Sequence, residues 1–195
     1  MNKRQTNSNA TSPVNNYLTS PYLLPDYFTR QECETVIAAS RDLTEYVGSA
    51  GEVKQSDDLR KSRLQFIAPD EETAWIFKKL ENAAGLANQY YEFDIAGFRE
   101  RLQVAEYSNS GHYTWHTDVG KDQTSSRKLS VSVQLTDGED YEGGNLEFHS
   151  LGNLNASRGI GSTIIFPSYL LHRVTPVTSG TRRSLVVWVH GRPFR

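Results

Sequence analysis

The sequence has 195 residues, the length of one domain, with 37% hydrophobic and 23% charged residues. The formal net charge of −2 argues against a protein that binds nucleic acid through the phosphate backbone. The single cysteine excludes an internal disulfide and a cysteine zinc cage, and no apolar run is long enough to span a membrane. We therefore expect a cytoplasmic single-domain protein without a membrane partner.

The first 20 residues are dominated by Asn, Ser and Thr and contain no acidic residue. Such a segment has little apolar surface to bury, so we expect residues 1–20 to form a disordered tail. Polar residues follow the two basic ones at the start, where a secretory signal would have an apolar stretch. The folded domain is predicted to cover residues 21–195.

Two helices are predicted in the first half of the domain. Thr29 is followed three residues later by Glu32, which matches a capping box, and helical spacing then indicates a helix over about 30–41. Pro69 and the acidic residues at 70–72 predict the first turn of a second helix. The apolar stripe of this second helix consists of Trp75, Ile76, Leu80, Ala83, Ala84 and Ala87.

From residue 93 onward the hydrophobic pattern has a period of two. Residues 128–135 are the clearest case, because Leu and Val alternate there with Ser and Gln. Further strands are predicted at 62–67, 102–107, 164–166 and 184–189, separated by glycine-rich turns. Helices followed by many short strands indicate an α+β protein with an antiparallel barrel or a double-sheet jelly roll.

Three residues in the strand-rich half have the composition of a metal site. His116 and Asp118 are two apart in an extended segment and can therefore point to the same side. A His-x-Asp pair alone is common by chance, and His172 further along the chain is no more specific by itself. Two histidines and one carboxylate are, however, the ligand set of a facial triad for non-haem Fe(II), which leaves coordination positions open.

An arginine and a serine near the end of the chain predict a carboxylate-binding site. Arg182 and Ser184 are two apart on a predicted strand, so the guanidinium and the hydroxyl lie on one face. Residues 186, 188 and 190 continue along that face. We expect Arg183, on the opposite face, to be exposed to solvent.

These residues stand in motifs that resemble the 2-oxoglutarate- and Fe(II)-dependent dioxygenases, specifically the prolyl 4-hydroxylase-like group. The matching segments include LQVAEYSNSGHYTWHTD and GSTIIFPSYLLHRVTPVTSGTRRSLVVW, and the resemblance covers about residues 21–191. It implies a double-stranded β-helix (jelly-roll) core with N-terminal helices packed on one sheet.

The resemblance also implies roles for individual positions. His116, Asp118 and His172 match the iron ligands, and Arg182, Ser184 and Tyr107 match residues that bind 2-oxoglutarate. The positions that match substrate-contacting residues are Tyr113, Arg127, Trp188 and His190.

The resemblance implies an enzyme that hydroxylates an unactivated C–H bond and consumes O₂ and 2-oxoglutarate, releasing succinate and CO₂. A prolyl residue in a protein or peptide is the expected substrate, and ascorbate is an expected stimulant. The main alternative is the same chemistry on a free amino acid or another small molecule. A zinc hydrolase, a binding module without catalysis and a nucleic-acid demethylase are further alternatives. The zinc hydrolase leaves Arg182 without a role, and the complete ligand set argues against the binding module.

Overall fold

The computed structural model describes residues 15–47, 59–149 and 154–194 of the chain. Two α-helices, α1 (Arg30–Ser40) and α2 (Ala74–Tyr91), precede most of the strands. The strands are β1 (Tyr22–Leu24), β2 (Tyr46–Val47), β3 (Arg60–Lys61), β4 (Arg63–Ile67), β5 (Ile95–Phe98), β6 (Leu102–Tyr107), β7 (His112–His116), β8 (Arg127–Gln134), β9 (Tyr141–Gly143), β10 (Leu146–Phe148), β11 (Leu154–Asn155), β12 (Thr163–Pro167), β13 (His172–Val174), β14 (Val177–Gly180) and β15 (Arg182–Gly191).

Helix α1 begins as the sequence predicts. The Thr29 hydroxyl accepts a hydrogen bond from the backbone N–H of Glu32, and the Glu32 carboxylate accepts one from the backbone N–H of Thr29. This reciprocal capping box satisfies two of the N–H groups that a helix start leaves without partners. Cys33 and Val36 are fully buried on the apolar side of the helix.

Helix α2 begins later than the sequence at 69–72 predicts. Asp70 and Thr73 form a closed turn, in which Asp70 Oδ1 accepts from the Thr73 backbone N–H and the Thr73 hydroxyl accepts from the Asp70 N–H. These side-chain bonds compete with helical bonds, so the first turn starts only at Ala74. The predicted apolar stripe is buried apart from Trp75, which is half-buried. Within the described ranges, no helix is long and apolar enough to cross a membrane.

The strands form two main antiparallel sheets in the described part of the chain. The larger sheet has the order β1-β12-β8-β15-β6-β4-β2, with β5 pairing the end of β15. The smaller sheet has the order β11-β10-β13-β7-β3, and β14 pairs with β9 separately. Strands that are neighbours in a sheet are distant in sequence, as in a jelly roll, and the predicted α+β double-stranded β-helix is confirmed.

The larger sheet is buried on both faces. One face packs against the two helices through residues such as Leu129, Val131 and Val187. The other face meets the smaller sheet through a second apolar cluster that includes Phe148 and Phe166. The alternating serines and glutamine of β8 therefore point between the two sheets, where the functional site lies.

Part of the predicted tail lies among the described residues. Residues 1–14 are outside them, but Asn16–Thr19 form a short 3-10 helix. The Tyr169 hydroxyl donates to the Leu18 carbonyl, and the Tyr91 hydroxyl donates to the Ser20 carbonyl. Residues 15–20 therefore pack on the domain, and the predicted disorder of residues 1–14 concerns positions outside the described residues.

Candidate metal centre and cosubstrate pocket

The two predicted histidine ligands lie side by side on neighbouring strands. His116 ends β7 and is paired in register with His172, which begins β13, and their ring centroids are 4.1 Å apart. Asp118 follows two residues after His116, with carboxylate oxygens 3.8 Å from His116 Nε2 and 3.6 Å from His172 Nε2. All three candidate ligand atoms lie within 4.8 Å of one another, which is close enough to share one ion.

Backbone carbonyls orient both imidazole rings. His116 Nδ1 donates to the Thr114 carbonyl at 2.8 Å, and His172 Nδ1 donates to the Leu170 carbonyl at 2.9 Å. A carbonyl can only accept, so it fixes the proton on Nδ1 and leaves the lone pair on Nε2. Both Nε2 atoms therefore present a lone pair to the same small space.

Two serines hold the third ligand. The Ser130 hydroxyl donates to Asp118 Oδ2 at 2.6 Å, and the backbone N–H groups of Asp118 and Val119 both donate to the Ser168 carbonyl. The pKa of Asp118 stays below its usual range: burial opposes this, but His172, His116 and the Ser130 hydroxyl outweigh burial. The carboxylate is therefore ionised at neutral pH.

Burial keeps the His116 imidazole neutral. It lowers the pKa of His116 to about 3, with a further contribution from the neighbouring His172. Metal binding requires neutral imidazoles and an ionised carboxylate. His116 and Asp118 already have these protonation states, so neither has to release a proton when a metal ion binds. Two imidazoles and one carboxylate fit Fe(II) with open positions for other ligands.

The three ligands open into a cavity of about 240 Å³ between the two sheets. Every site residue predicted from the sequence lines this cavity except His190. The members beyond the triad are Tyr107, Tyr113, Arg127, Arg182, Ser184 and Trp188.

Arg182 has the surroundings of a carboxylate-binding residue. It is buried, and its only side-chain hydrogen bond to a described residue goes from Nη1 to the Ser184 hydroxyl at 3.4 Å. Tyr107 lies opposite Arg182 across β6 and β15, with its ring 5.5 Å from the guanidinium carbon. No described carboxylate is within ion-pair distance of Arg182, so the guanidinium can bind the distal carboxylate of a keto acid.

Arg183 points to the other face of β15, as the alternation predicts. It is partly buried rather than solvated, and its Nη2 lies 2.6 Å from the Glu106 carboxylate. Arg182 and Arg183 therefore lie on opposite faces of β15, as the alternation along the strand predicts.

Arg127 and His190 belong to a corner of the site in which the polar groups bind each other. Arg127 makes a two-pronged contact with Glu100, lies 3.6 Å over the Trp188 ring and donates to the Asp118 carbonyl at 3.2 Å. His190 Nε2 donates to the same Glu100 at 2.9 Å, and its Nδ1 is 2.8 Å from the Ser126 hydroxyl.

The position of His190 departs from the predicted inward face. A shift in register between Val189 and His190 interrupts the pairing of β15 with β8. Such an irregularity redirects the side chains beyond it, which simple alternation cannot foresee. His190 is buried with both ring nitrogens engaged and reaches the cavity only through Glu100 and Arg127.

Gln103 and Arg60 are among the polar residues of the cavity wall that sequence reasoning missed. Gln103 is buried on β6 opposite Val186, and its Oε1 has no hydrogen-bond partner in the described part of the protein. The period-two pattern of β6 placed Gln103 on the same face as Tyr107 and could have indicated it. Arg60 lies on the two-residue strand β3, which carries no periodic signal.

Comparison with protein families agrees with this geometry. Residues 102–190, which contain all three candidate ligands and Arg182, match the family model described as the 2OG-Fe(II) oxygenase superfamily. This segment therefore resembles a 2OG-Fe(II) oxygenase domain. The predicted resemblance to the prolyl 4-hydroxylase-like group is thereby confirmed.

Bacterial relatives match over a similar number of residues. A PKHD-type hydroxylase of Crocosphaera subtropica is 38% identical over 93 residues, which are 46% of this chain and 42% of that protein. A PKHD-type hydroxylase of Colwellia psychrerythraea is 32% identical over 112 residues, covering 54% of this chain and 50% of that protein. The chain spans about half the length of the curated relatives it matches.

Solved structures share the fold over most of the chain. A prolyl-4-hydroxylase of Pseudomonas putida superposes with a TM-score of 0.69 at 19% identity, covering 88% of this chain and 92% of that one. A viral collagen prolyl hydroxylase of Paramecium bursaria Chlorella virus-1 gives a TM-score of 0.67 at 21% identity, covering 88% and 96%.

Proposed function

We propose that the protein is a dioxygenase that uses Fe(II), 2-oxoglutarate and O₂ to hydroxylate an unactivated C–H bond. The observation that carries this proposal is the position of Arg182. It is a buried guanidinium without a described carboxylate partner, in the same cavity as the His116, Asp118 and His172 ligand set. A zinc hydrolase would use the ligands but would leave this buried charge without a function.

Each group has a defined task in this proposal. The three ligands would hold the ion, and Arg182 with Ser184 would bind the distal carboxylate of 2-oxoglutarate. Tyr107 packs beside that carboxylate. When bound, the iron and 2-oxoglutarate supply the oxidising chemistry that releases succinate and CO₂. The apolar wall, with Leu146, keeps water away from the reacting bond.

The preferred substrate is a prolyl residue in a protein or peptide. Tyr113 and Trp188 line the cavity and offer aromatic surfaces that suit a proline ring. The structural relatives named prolyl hydroxylases support the same choice, and one of them is a complex with a peptide fragment. The second candidate is a free amino acid or another small molecule, which the limited cavity volume would also accept. A stimulating effect of ascorbate and a cytoplasmic location stay predictions.

The test is a measurement of succinate formed from 2-oxoglutarate by the Fe(II)-loaded protein. Proline-rich peptides, free amino acids and oligonucleotides are added separately, and the compound that stimulates succinate formation identifies the substrate class. Stimulation by a peptide together with a mass increase of one oxygen atom is expected. Full activity with zinc in the absence of iron would contradict the proposal.

A further inference from the structure

Three buried arginines line the cavity in the described part of the chain, and one of them has no role in the proposed function. Arg60, Arg127 and Arg182 are 4%, 9% and 3% exposed. Arg127 is neutralised by Glu100, and Arg182 is assigned to the cosubstrate. Arg60 remains, on the strand β3 at the edge of the smaller sheet.

The described contacts of Arg60 are with neutral groups. Its Nε donates to the Ser62 hydroxyl at 2.8 Å, and its guanidinium carbon lies 4.6 Å over the Tyr113 ring. No carboxylate of the described residues is within 4.0 Å, whereas Arg63, Arg173 and Arg183 all have such a partner. A buried guanidinium that lacks a counter-charge is costly, because the lost hydration is not replaced.

The side chain is also held in a fixed orientation near the metal ligands. Arg60 stacks on Tyr113, which in turn stacks on His116 with ring centroids 3.5 Å apart. Because Ser62 occupies Nε, the two terminal nitrogens are left for a ligand. They form a planar fork that matches the geometry of a carboxylate.

The charges in the cavity do not balance without another anion. Fe(II) carries two positive charges, and Arg60 and Arg182 add one each, since arginine stays protonated in proteins. Asp118 and the 2-oxoglutarate dianion together supply three negative charges. The loaded cavity therefore has an excess of one positive charge among these groups, which a single carboxylate would neutralise.

We propose that Arg60 binds a carboxylate of the substrate, so that the substrate carries an anionic group beside the bond that reacts. This inference rests on the proposed function and narrows its substrate class. The cosubstrate is a poorer occupant, because its distal carboxylate is bound by Arg182 on the larger sheet and its keto-acid end binds the metal. The carboxylate can come from a free amino acid or from an acidic side chain next to the reacting residue in a peptide.

Matched ligand pairs test the proposal by calorimetry on protein loaded with Mn(II) and 2-oxoglutarate, in which no turnover occurs. One pair is N-acetyl-L-proline and N-acetyl-L-prolinamide. The other is acetyl-Glu-Pro-Gly-amide and acetyl-Gln-Pro-Gly-amide. We expect the acid to bind at least about tenfold more tightly than its amide in one pair, as for a charge-assisted contact. The pair that discriminates identifies the source of the carboxylate.

Substitutions at position 60 test whether Arg60 causes the preference for the acid over its amide. Arg60→Gln is expected to reduce the preference for the acid to less than about twofold, with 2-oxoglutarate binding unchanged. Arg60→Lys keeps the charge and should retain part of the preference, which guards against a folding defect in Arg60→Gln. Arg173→Gln is the matched control, because Arg173 pairs with Glu147 outside the cavity.

Two results would overturn the proposal. One is the absence of any preference for the acids in the wild type, including a failure of both acids to bind. The other is a loss of 2-oxoglutarate affinity, rather than of acid preference, in Arg60→Gln. Succinate formation by the Fe(II)-loaded wild type is measured in parallel. Absence of succinate with the acid preference intact would contradict the proposed dioxygenase activity and leave the Arg60 site standing.

Discussion

Arg182 and Arg127 are both buried in the wall of the same cavity, yet their surroundings differ. Arg182 has a single long hydrogen bond, to the Ser184 hydroxyl. Arg127 is engaged on every side, by the Glu100 carboxylate, the Trp188 ring and the Asp118 carbonyl. An arginine with few of its N–H groups engaged is prepared to bind a ligand, whereas Arg127, which donates from all three of its nitrogens, positions the groups around it.

The difference divides the cavity into a ligand-binding end and a supporting end. At the first end, the triad and Arg182 keep lone pairs or N–H groups available. At the second, Arg127, Glu100 and His190 satisfy each other and fix both the Asp118 backbone and the Trp188 ring. We therefore expect substitutions at the ligand-binding end to weaken ligand binding strongly. Substitutions at the supporting end should instead lower the ratio of hydroxylated product to succinate.

The largest effect is expected from the metal ligands. His116→Ala, Asp118→Ala or His172→Ala removes one of three protein ligands, and each should lower Fe(II)-dependent turnover by more than about 100-fold, since even indirect partners of a ligand cost 10–100-fold. Calorimetry with Mn(II) should show the matching loss of metal binding. His149→Ala, at an exposed site, is the control and should bind metal normally.

The neighbouring arginines of β15 offer the next test. Arg182→Ala should weaken 2-oxoglutarate binding by about ten- to a hundredfold, because a charge-assisted contact is lost, while metal binding survives. Arg183→Ala removes a similar side chain from the opposite face, where it pairs with Glu106, and should leave 2-oxoglutarate binding unchanged. The reverse result would show that the two faces of the strand are assigned incorrectly.

A smaller effect is expected at the supporting end. Trp188→Ala and His190→Ala should impair coupled hydroxylation of a proline peptide by about tenfold or less, while 2-oxoglutarate is still decarboxylated. Trp188→Ala should have the greater effect, because Trp188 lines the cavity and His190 acts through Glu100. The measurement is the ratio of hydroxylated product to succinate, with Trp115→Ala, outside the cavity, as control. Normal ratios in both variants would show that Trp188 and His190 do not contribute to substrate binding.

The last prediction concerns the stability of the metal-free protein in acid rather than its activity. The pKa of His116 is about 3 in the folded protein and about 6.5 when unfolded, so the unfolded chain takes up a proton first as the pH falls. The free energy of unfolding should therefore decrease between pH 6.5 and 3, by at most about 1.4 kcal/mol per pH unit for this proton. Urea denaturation of the wild type and His116→Gln should show a shallower pH dependence in the variant. An equal slope in both would contradict the assignment.

The structure could be predicted from the sequence where a single local rule, such as helix capping or strand alternation, decides it. The capping box set the start of α1, and strict alternation set the faces of Arg182, Arg183 and Ser184 correctly. Residue spacing also brought His116 and Asp118 to one side, whereas His172 begins a separate strand, β13.

The sequence was less informative where contacts between distant segments decide the structure. The Asp70–Thr73 turn delayed α2, and the irregular pairing at His190 removed that residue from the cavity wall. Arg60 could not be assigned, because only the pairing of β3 with β7 brings it onto Tyr113. The partner of Arg127 was equally hidden, since Glu100 precedes β6 in a connecting segment.

The in-register pairing of His116 with His172 also bears on how the protein folds. The two ligands come from strands that are far apart in the chain and meet only when β7 and β13 have paired. The ion would therefore bind the native state much more tightly than the unfolded chain and would shift the equilibrium toward the native state by mass action. At a free metal concentration 100 times the dissociation constant, this linkage is worth about 2.7 kcal/mol. Metal supply would then govern the lifetime of the protein as well as its chemistry.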